Sequence, residues 1–364
     1  MSKNLVDKYN NFMKAFETGL LVGIDIGLSA VKIAVLSEGR KGKFRLEKYQ
    51  EYYLSEAAII EDDVQKPDEV IQGIKKIYND QKINKHIACI GLAGPNTVTK
   101  RLQVPDGSKE DVEDNIIWES EQYIHFGADD AEIGFSIVGK IEEEEVIDAI
   151  VGAAKIDIIE NYSNLIKEAG LIPKVVDLNV FAVVNAFEFI YANRLEDLSE
   201  EGTLIIDYGA QYTTVIVYKN KATILTKEIS IGGVLLTEEI QRTMGVSYAE
   251  AEDLKIHGDD NGNLPEEIIE ILENHNERLL EELKKVLNFY IAAGSSQQIG
   301  NAFVTGGSCR LPGSKESLQD FIDMDVEEID PFMALEVKGN FSEEELDDLA
   351  YCGLVAIGLA MRRI

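Results

Sequence analysis

At 364 residues the chain is too long for one ordinary hydrophobic core, so two domains are the natural expectation. Its 66 acidic residues against 35 basic give a formal net charge of -31. A surface of that sign repels nucleic-acid phosphates and anionic lipid headgroups, so no nucleic-acid partner is expected and membrane contact only through another protein.

The 45% hydrophobic content and mean hydropathy of -0.09 fit a soluble globular chain. Cys89, Cys309 and Cys352 are odd in number and far apart. None of His86, His125, His257 and His275 stands at ligand spacing from another His or Cys. Neither a disulfide framework nor a zinc site is expected, which suits a reducing cytoplasm. No run reaches the ~18 apolar residues of a membrane-spanning helix. The nearest, residues 349–361, is shorter, rich in Gly and Ala, and reads as a buried helix.

In chain order, residues 1–19 lack an apolar leader stretch, so no signal peptide is expected. Leu5, Tyr9, Phe12, Met13 and Phe16 at helical spacing predict an N-terminal helix, which either docks a partner or lies on its own domain. Residues 20–36, LLVGIDIGLSAVKIAVL, read as strand, tight turn, strand. Asp25 ends the first strand, where a carboxylate can face a hydrated metal ion. Gly27, lacking Cβ, lets turn N–H groups approach an anion. Leu28 and Ser29 complete the turn, and Lys32 can return to phosphates as a point charge.

A third strand is expected over 44–53, a helix from about Asp68 behind Pro67, and a short buried strand over 87–92. Gly94 and Pro95 then break the pattern. Strand TVTKRLQVP, a helix from Ser108 with a capping-box-like Asp111, strands over 132–140 and 146–152, and a helix over 155–169 closed by Gly170 follow. Residues 87–170 therefore read as an inserted α/β subdomain. A strand over 173–177 leads into a mostly apolar helix over 178–191.

Residues 203–218, TLIIDYGAQYTTVIVY, repeat the first pattern. Asp207 ends a strand; Gly209, Ala210, Gln211 and Tyr212 form the turn; Thr213 and Thr214 open the return strand. Helices are expected over 234–244, from the cap Ser247 with Glu250 three residues on, and over 266–294. A short strand over 302–305 ends at Gly306, Gly307 and Ser308, and a helix over 343–362 closes the chain. Two such hairpins far apart predict two similar half-domains that cradle one nucleotide from opposite sides. Asp25 and Asp207 would hold Mg²⁺ mainly through water, since that ion gives up hydration reluctantly. Gly306 and Gly307 would let an adenine or ribose lie flat against backbone.

This ordered set resembles the actin, Hsp70 and sugar-kinase superfamily over residues 20–364. Within it, RLQVP, IIWESEQYIHF, IGGVLLTEEI, GVSYAEAEDLK, FVTGGSCRLPG and DPF resemble the PilM family of type IV pilus assembly, on the FtsA/PilM branch. The resemblance implies an α/β, actin-like (duplicated, ribonuclease H-like) ATPase fold with an inserted subdomain. Beyond the helix at 1–19, its parts would be 20–86, 171–200 and 340–364 (1A); 87–170 (1C); 201–232 and 299–339 (2A); and 233–298 (2B).

The resemblance also implies ATP and Mg as cofactors, with Glu252 and Lys255, at i and i+3 on one helical face, touching ribose and adenine. Leu28, Gln211 and Tyr212 are bulkier than is common in relatives. No residue stands out as a general base, Asp177 being the nearest by chain position, so ATP binding with slow or absent hydrolysis is expected. The implied role is a cytoplasmic scaffold that takes the N-terminal tail of a PilN-like inner-membrane protein into a groove beside the insert and is recruited to the membrane by it. Further pilus assembly proteins and self-association stay open. The alternatives are a filament-forming ATPase like FtsA, a component of a related secretion or competence machine, and, weakest, a small-molecule kinase.

Overall fold

The computed structural model describes residues 19–259, 262–293 and 298–364. The helix expected over 1–19 lies outside these residues but for Gly19. The described residues belong to two compact units.

In the first unit (Met1–Ala93, Asp157–Tyr191, Asp330–Ile364), Val22–Ile26, Ala30–Glu38 and Phe44–Tyr53 form an antiparallel meander. Ile87–Leu92 pairs parallel with Val22–Ile26, and Ile172–Leu178 pairs parallel with Ile87–Leu92. The second unit (Gly94–Ile156, Ala192–Ile329) repeats this order. Thr203–Tyr208, Thr213–Lys219 and Ala222–Ile229 form the meander, with Asn301–Thr305 and then Val326–Glu328 added in parallel. The duplication expected from the two hairpins is thus a duplication of whole sheets. The first sheet carries one further strand, Leu335–Val337, parallel to Phe44–Tyr53.

The first sheet is covered by helices that touch through small residues. Leu354–Ala360 is buried at every position. A Cβ on Gly23 would overlap the Ala356 carbonyl, and one on Gly358 would overlap Ala182 in the apolar helix Asn179–Ile190. Glycine at these points sets how closely backbone layers approach. The closing stretch is therefore core, as its composition predicts. It is two helices, however, Glu343–Cys352 and Leu354–Ala360, meeting at Gly353, where a side chain would run into the Leu349 carbonyl 2.7 Å away.

The insert is smaller than the sequence reading. Ile87–Leu92 belongs to the first sheet, so the inserted part begins at Gly94, and Ile156–Glu168 falls almost entirely in the first unit. Thr97–Pro105, Val146–Lys155 and Ala131–Ile141 form its antiparallel sheet. Helix Lys109–Glu121, capped by Ser108 accepting from the Asp111 N–H, covers one face. Leu102, Val104, Val112, Ile116, Ile147, Ala149 and Val151 make its core. Buried Asp148 receives Arg101 Nε at 2.7 Å and a second guanidinium contact. The insert is tied to the second meander by Gly94 N–H donating to Glu228 at 3.2 Å and by Thr99 meeting Thr226. Two further boundaries differ from expectation. Leu195–Glu201 lies in the second unit, and residues 330–339 lie in the first because Leu335–Val337 joins its sheet.

Candidate functional site

The first hairpin closes with Gly27 N–H donating to the Ala30 carbonyl at 3.0 Å. Asp25 and Lys32 are cross-strand partners, and Lys32 Nζ stands 3.5 Å from Asp25 Oδ2. Glu51 is the partner of Lys32 on the next strand, so one lysine lies in a row with two carboxylates. Burial holds the Glu51 carboxyl above the usual range against the pull of Lys32. Lys32 thus neutralises Asp25. Glu51, absent from the sequence reading, follows from counting partners outward from the turn.

The second hairpin is built more tightly. Gly209 N–H donates to the Asp207 and Tyr212 carbonyls at 3.1 and 3.0 Å, and a Cβ on Gly209 would lie 2.7 Å from the Tyr212 oxygen. The Gly209 and Ala210 carbonyls accept from the N–H groups of Gly233 and Val234, at 3.1 and 2.7 Å, at the start of helix Gly233–Met244. The peptides are trans and planar, so the N–H groups of Ala210 and Gln211, opposite those two carbonyls, point away from that helix. Thr213 Oγ1 donates to the Ile231 carbonyl at 2.7 Å and fixes the base of the loop.

Three of the other expected residues gather around Gly233. Ser308 Oγ lies 3.3 Å from the Gly209 carbonyl and donates to it, and a Cβ on Gly233 would come within 2.7 Å of that hydroxyl. Lys255 is buried at 7% exposure. Its Nζ donates to Glu252 Oε2 at 2.7 Å, Thr237 Oγ1 at 2.8 Å and the Gly233 carbonyl at 3.3 Å. Burial lowers the Lys255 pKa, and the Glu252 carboxylate opposes that shift. Thr237, which sequence reasoning missed, stands 2.5 Å from Glu252; it is one helical turn beyond Gly233, and that spacing was its only signal. Ser247 and Glu250 form the expected capping box at the start of Tyr248–His257. Gly307 begins the short turn Gly307–Arg310 after Gly306.

Asp177, considered for water positioning, is occupied. Arg362 Nε donates to its Oδ2 at 2.6 Å and the Leu178 N–H to its Oδ1 at 2.9 Å. Among the described residues no three His, Cys, Asp or Glu side chains converge as a metal site. Asp207, the Gln211 amide and Thr305 offer only oxygen donors on this half, a set that suits Mg²⁺ retaining most of its water.

A duplicated meander sheet carrying an Asp–Gly hairpin in each copy defines an actin-like fold of the ATPase superfamily. The chain belongs to the family described as type IV pilus assembly protein PilM, whose model matches residues 23–364. It is similar to the cell division protein FtsA of Enterococcus faecalis, 22% identical over 358 residues, covering 85% of this chain and 78% of that one. The structure of a PilM-PilN type IV pilus biogenesis complex superposes with a TM-score of 0.82 at 24% identity, covering 94% of this chain and 98% of that one. MreB5 of Spiroplasma citri bound to AMPPNP superposes with a TM-score of 0.50 at 13% identity, covering 93% of each. No helix among the described residues is long and apolar enough to cross a membrane.

Proposed function

We propose that the chain is a cytoplasmic, nucleotide-binding scaffold of type IV pilus assembly that captures the N-terminal tail of a PilN-like inner-membrane protein. Membership in the PilM family carries this reading. The separately cored insert supports it, because its helix leaves Ile117 and Trp118 exposed, with Trp118 at 63%, and Tyr123 just beyond the helix is exposed as well. Exposed aromatic and aliphatic groups of this kind serve as anchors when a flexible segment is immobilised.

The nucleotide is ATP with Mg²⁺. On the second unit, the outward N–H groups of Ala210 and Gln211 would take phosphate, Glu252 and Lys255 ribose and base, and Gly306 and Gly307 the close backbone approach. Asp207 would hold the hydrated ion there, while Asp25 and Lys32 with Gly27, Leu28 and Ser29 are the corresponding groups of the first unit. Bound Mg²⁺ would supply charge neutralisation of the phosphates. Hydrolysis is slow or absent, a reading supported by the engagement of Asp177 with Arg362. A pulldown with the cognate tail and a steady-state ATPase assay test both halves. Capture of the tail with negligible turnover is expected. A robust rate abolished by Asp207→Ala, or no capture, would contradict the reading.

A further inference from the structure

Two buried side-chain oxygens at the C-terminal edge of the second sheet have no hydrogen-bond partner: Gln211 Oε1 and Thr305 Oγ1. They bracket Asp207. Thr305 is the register partner of Asp207 on the neighbouring parallel strand, and Gln211 is at the tip of the loop that Asp207 opens. The backbone of the loop is held in place, since its carbonyls accept from the N–H groups of Gly233 and Val234. A Cβ on Gly232 would already lie 2.7 Å from the Gln211 carbonyl carbon.

An amide oxygen only accepts, and burying it without a donor is unfavourable. The donor therefore comes from outside the chain, from water or from a ligand. Asp207 and a triphosphate are acceptors themselves. The ammonium of Lys255 is engaged by Glu252, Thr237 and Gly233. Water can supply that donor, and water polarised by a divalent cation is the strongest form of it.

We propose that Gln211 is a positioning residue for the metal: its side-chain oxygen accepts a hydrogen bond from a Mg²⁺-bound water and couples metal to nucleotide affinity. This rests on the reading that the site binds Mg-ATP. It gives the buried, unpartnered amide oxygen of Gln211 a purpose.

The test is calorimetric titration of the full chain with ATP, in Mg²⁺ and in EDTA, for the wild type, Gln211→Met and Gln211→Glu. Methionine keeps the length and removes the acceptor; glutamate keeps an acceptor. Gln211→Met should weaken Mg-ATP binding by about tenfold, one hydrogen bond's worth, and leave metal-free ATP binding unchanged. Gln211→Glu should retain the Mg²⁺ dependence. Without ligand, Gln211→Met should unfold at or above the wild-type temperature, because it removes a buried unpaired group. The proposal is overturned if Gln211→Met keeps the wild-type Mg²⁺ dependence, or loses equal affinity with and without metal, which would mean an amide N–H donating to phosphate. Failure of the wild type to bind ATP in either condition would instead overturn the nucleotide reading beneath it.

Discussion

Gly306 lies directly against Asp207. A Cβ at residue 306 would stand 2.5 Å from Asp207 Oδ1 and equally close to the Tyr208 carbonyl, and the backbone there has φ of +95°. The close approach and the left-handed conformation each demand glycine. Gly306→Ala should destabilise the second unit by about 2 kcal/mol or more and abolish nucleotide binding, read by thermal unfolding and ATP titration. A variant as stable as wild type would show that the strand end can move away from Asp207.

Lys255 is a buried cation whose partners all belong to the candidate site. Replacing it with methionine leaves Glu252 without its counter-ion and removes the donor that spans Gly233 and Thr237. ATP affinity should fall by about tenfold or more, while Glu252→Gln, which keeps a hydrogen-bonding group, should cost less. Equal losses from both would assign the contribution to charge.

In the insert, Asp148 is 4% exposed and depends on Arg101. Arg101→Leu strands a buried carboxylate and should cost about 3 kcal/mol, within the range for breaking a buried pair. Hydrogen exchange should show the loss in Thr97–Pro105 and Val146–Lys155 before the rest of the second unit.

His275 is 3% exposed, and burial, with Arg278 and Lys255 nearby, lowers its pKa from 6.5 to about 4. Between those values the unfolded chain binds more protons than the folded one. The stabilisation is therefore complete above pH 6.5 and is lost as pH falls toward 4. Wild type should lose about 2 kcal/mol relative to His275→Gln between pH 7 and pH 5, measured by chemical denaturation. Parallel curves for the two proteins would contradict this.

Trp118 is 63% exposed on the insert helix. Trp118→Ala should leave the unfolding temperature within about a degree, as surface changes do, and weaken tail binding several-fold. Unchanged tail affinity would place the anchor elsewhere.

The hairpins were legible because an Asp–Gly turn between two apolar strands is local, and so were the caps at Ser108 and Ser247. That the chain holds two similar half-domains followed from the repeat. What escaped the sequence was non-local. Residues 87–92 are a short apolar run that fits any buried strand, and only pairing with Val22–Ile26 assigns it to the first sheet and not to the insert. Leu335–Val337 is too short for periodicity to reveal. Gly353 breaks a helix whose composition reads as continuous. At the site, Glu252 and Lys255 were readable from motif, whereas Thr237 enters from another helix and Asp177 is engaged by Arg362, 185 residues away. Such partners are set by packing.

The most direct test of the scaffold account is a calorimetric titration of the full chain with the synthetic N-terminal tail of the neighbouring PilN-like protein, with and without Mg-ATP. The account predicts saturable one-to-one binding, with a nucleotide-dependent shift if the two sites are coupled. No binding in either condition would contradict it and make ATP-dependent polymerisation the next measurement.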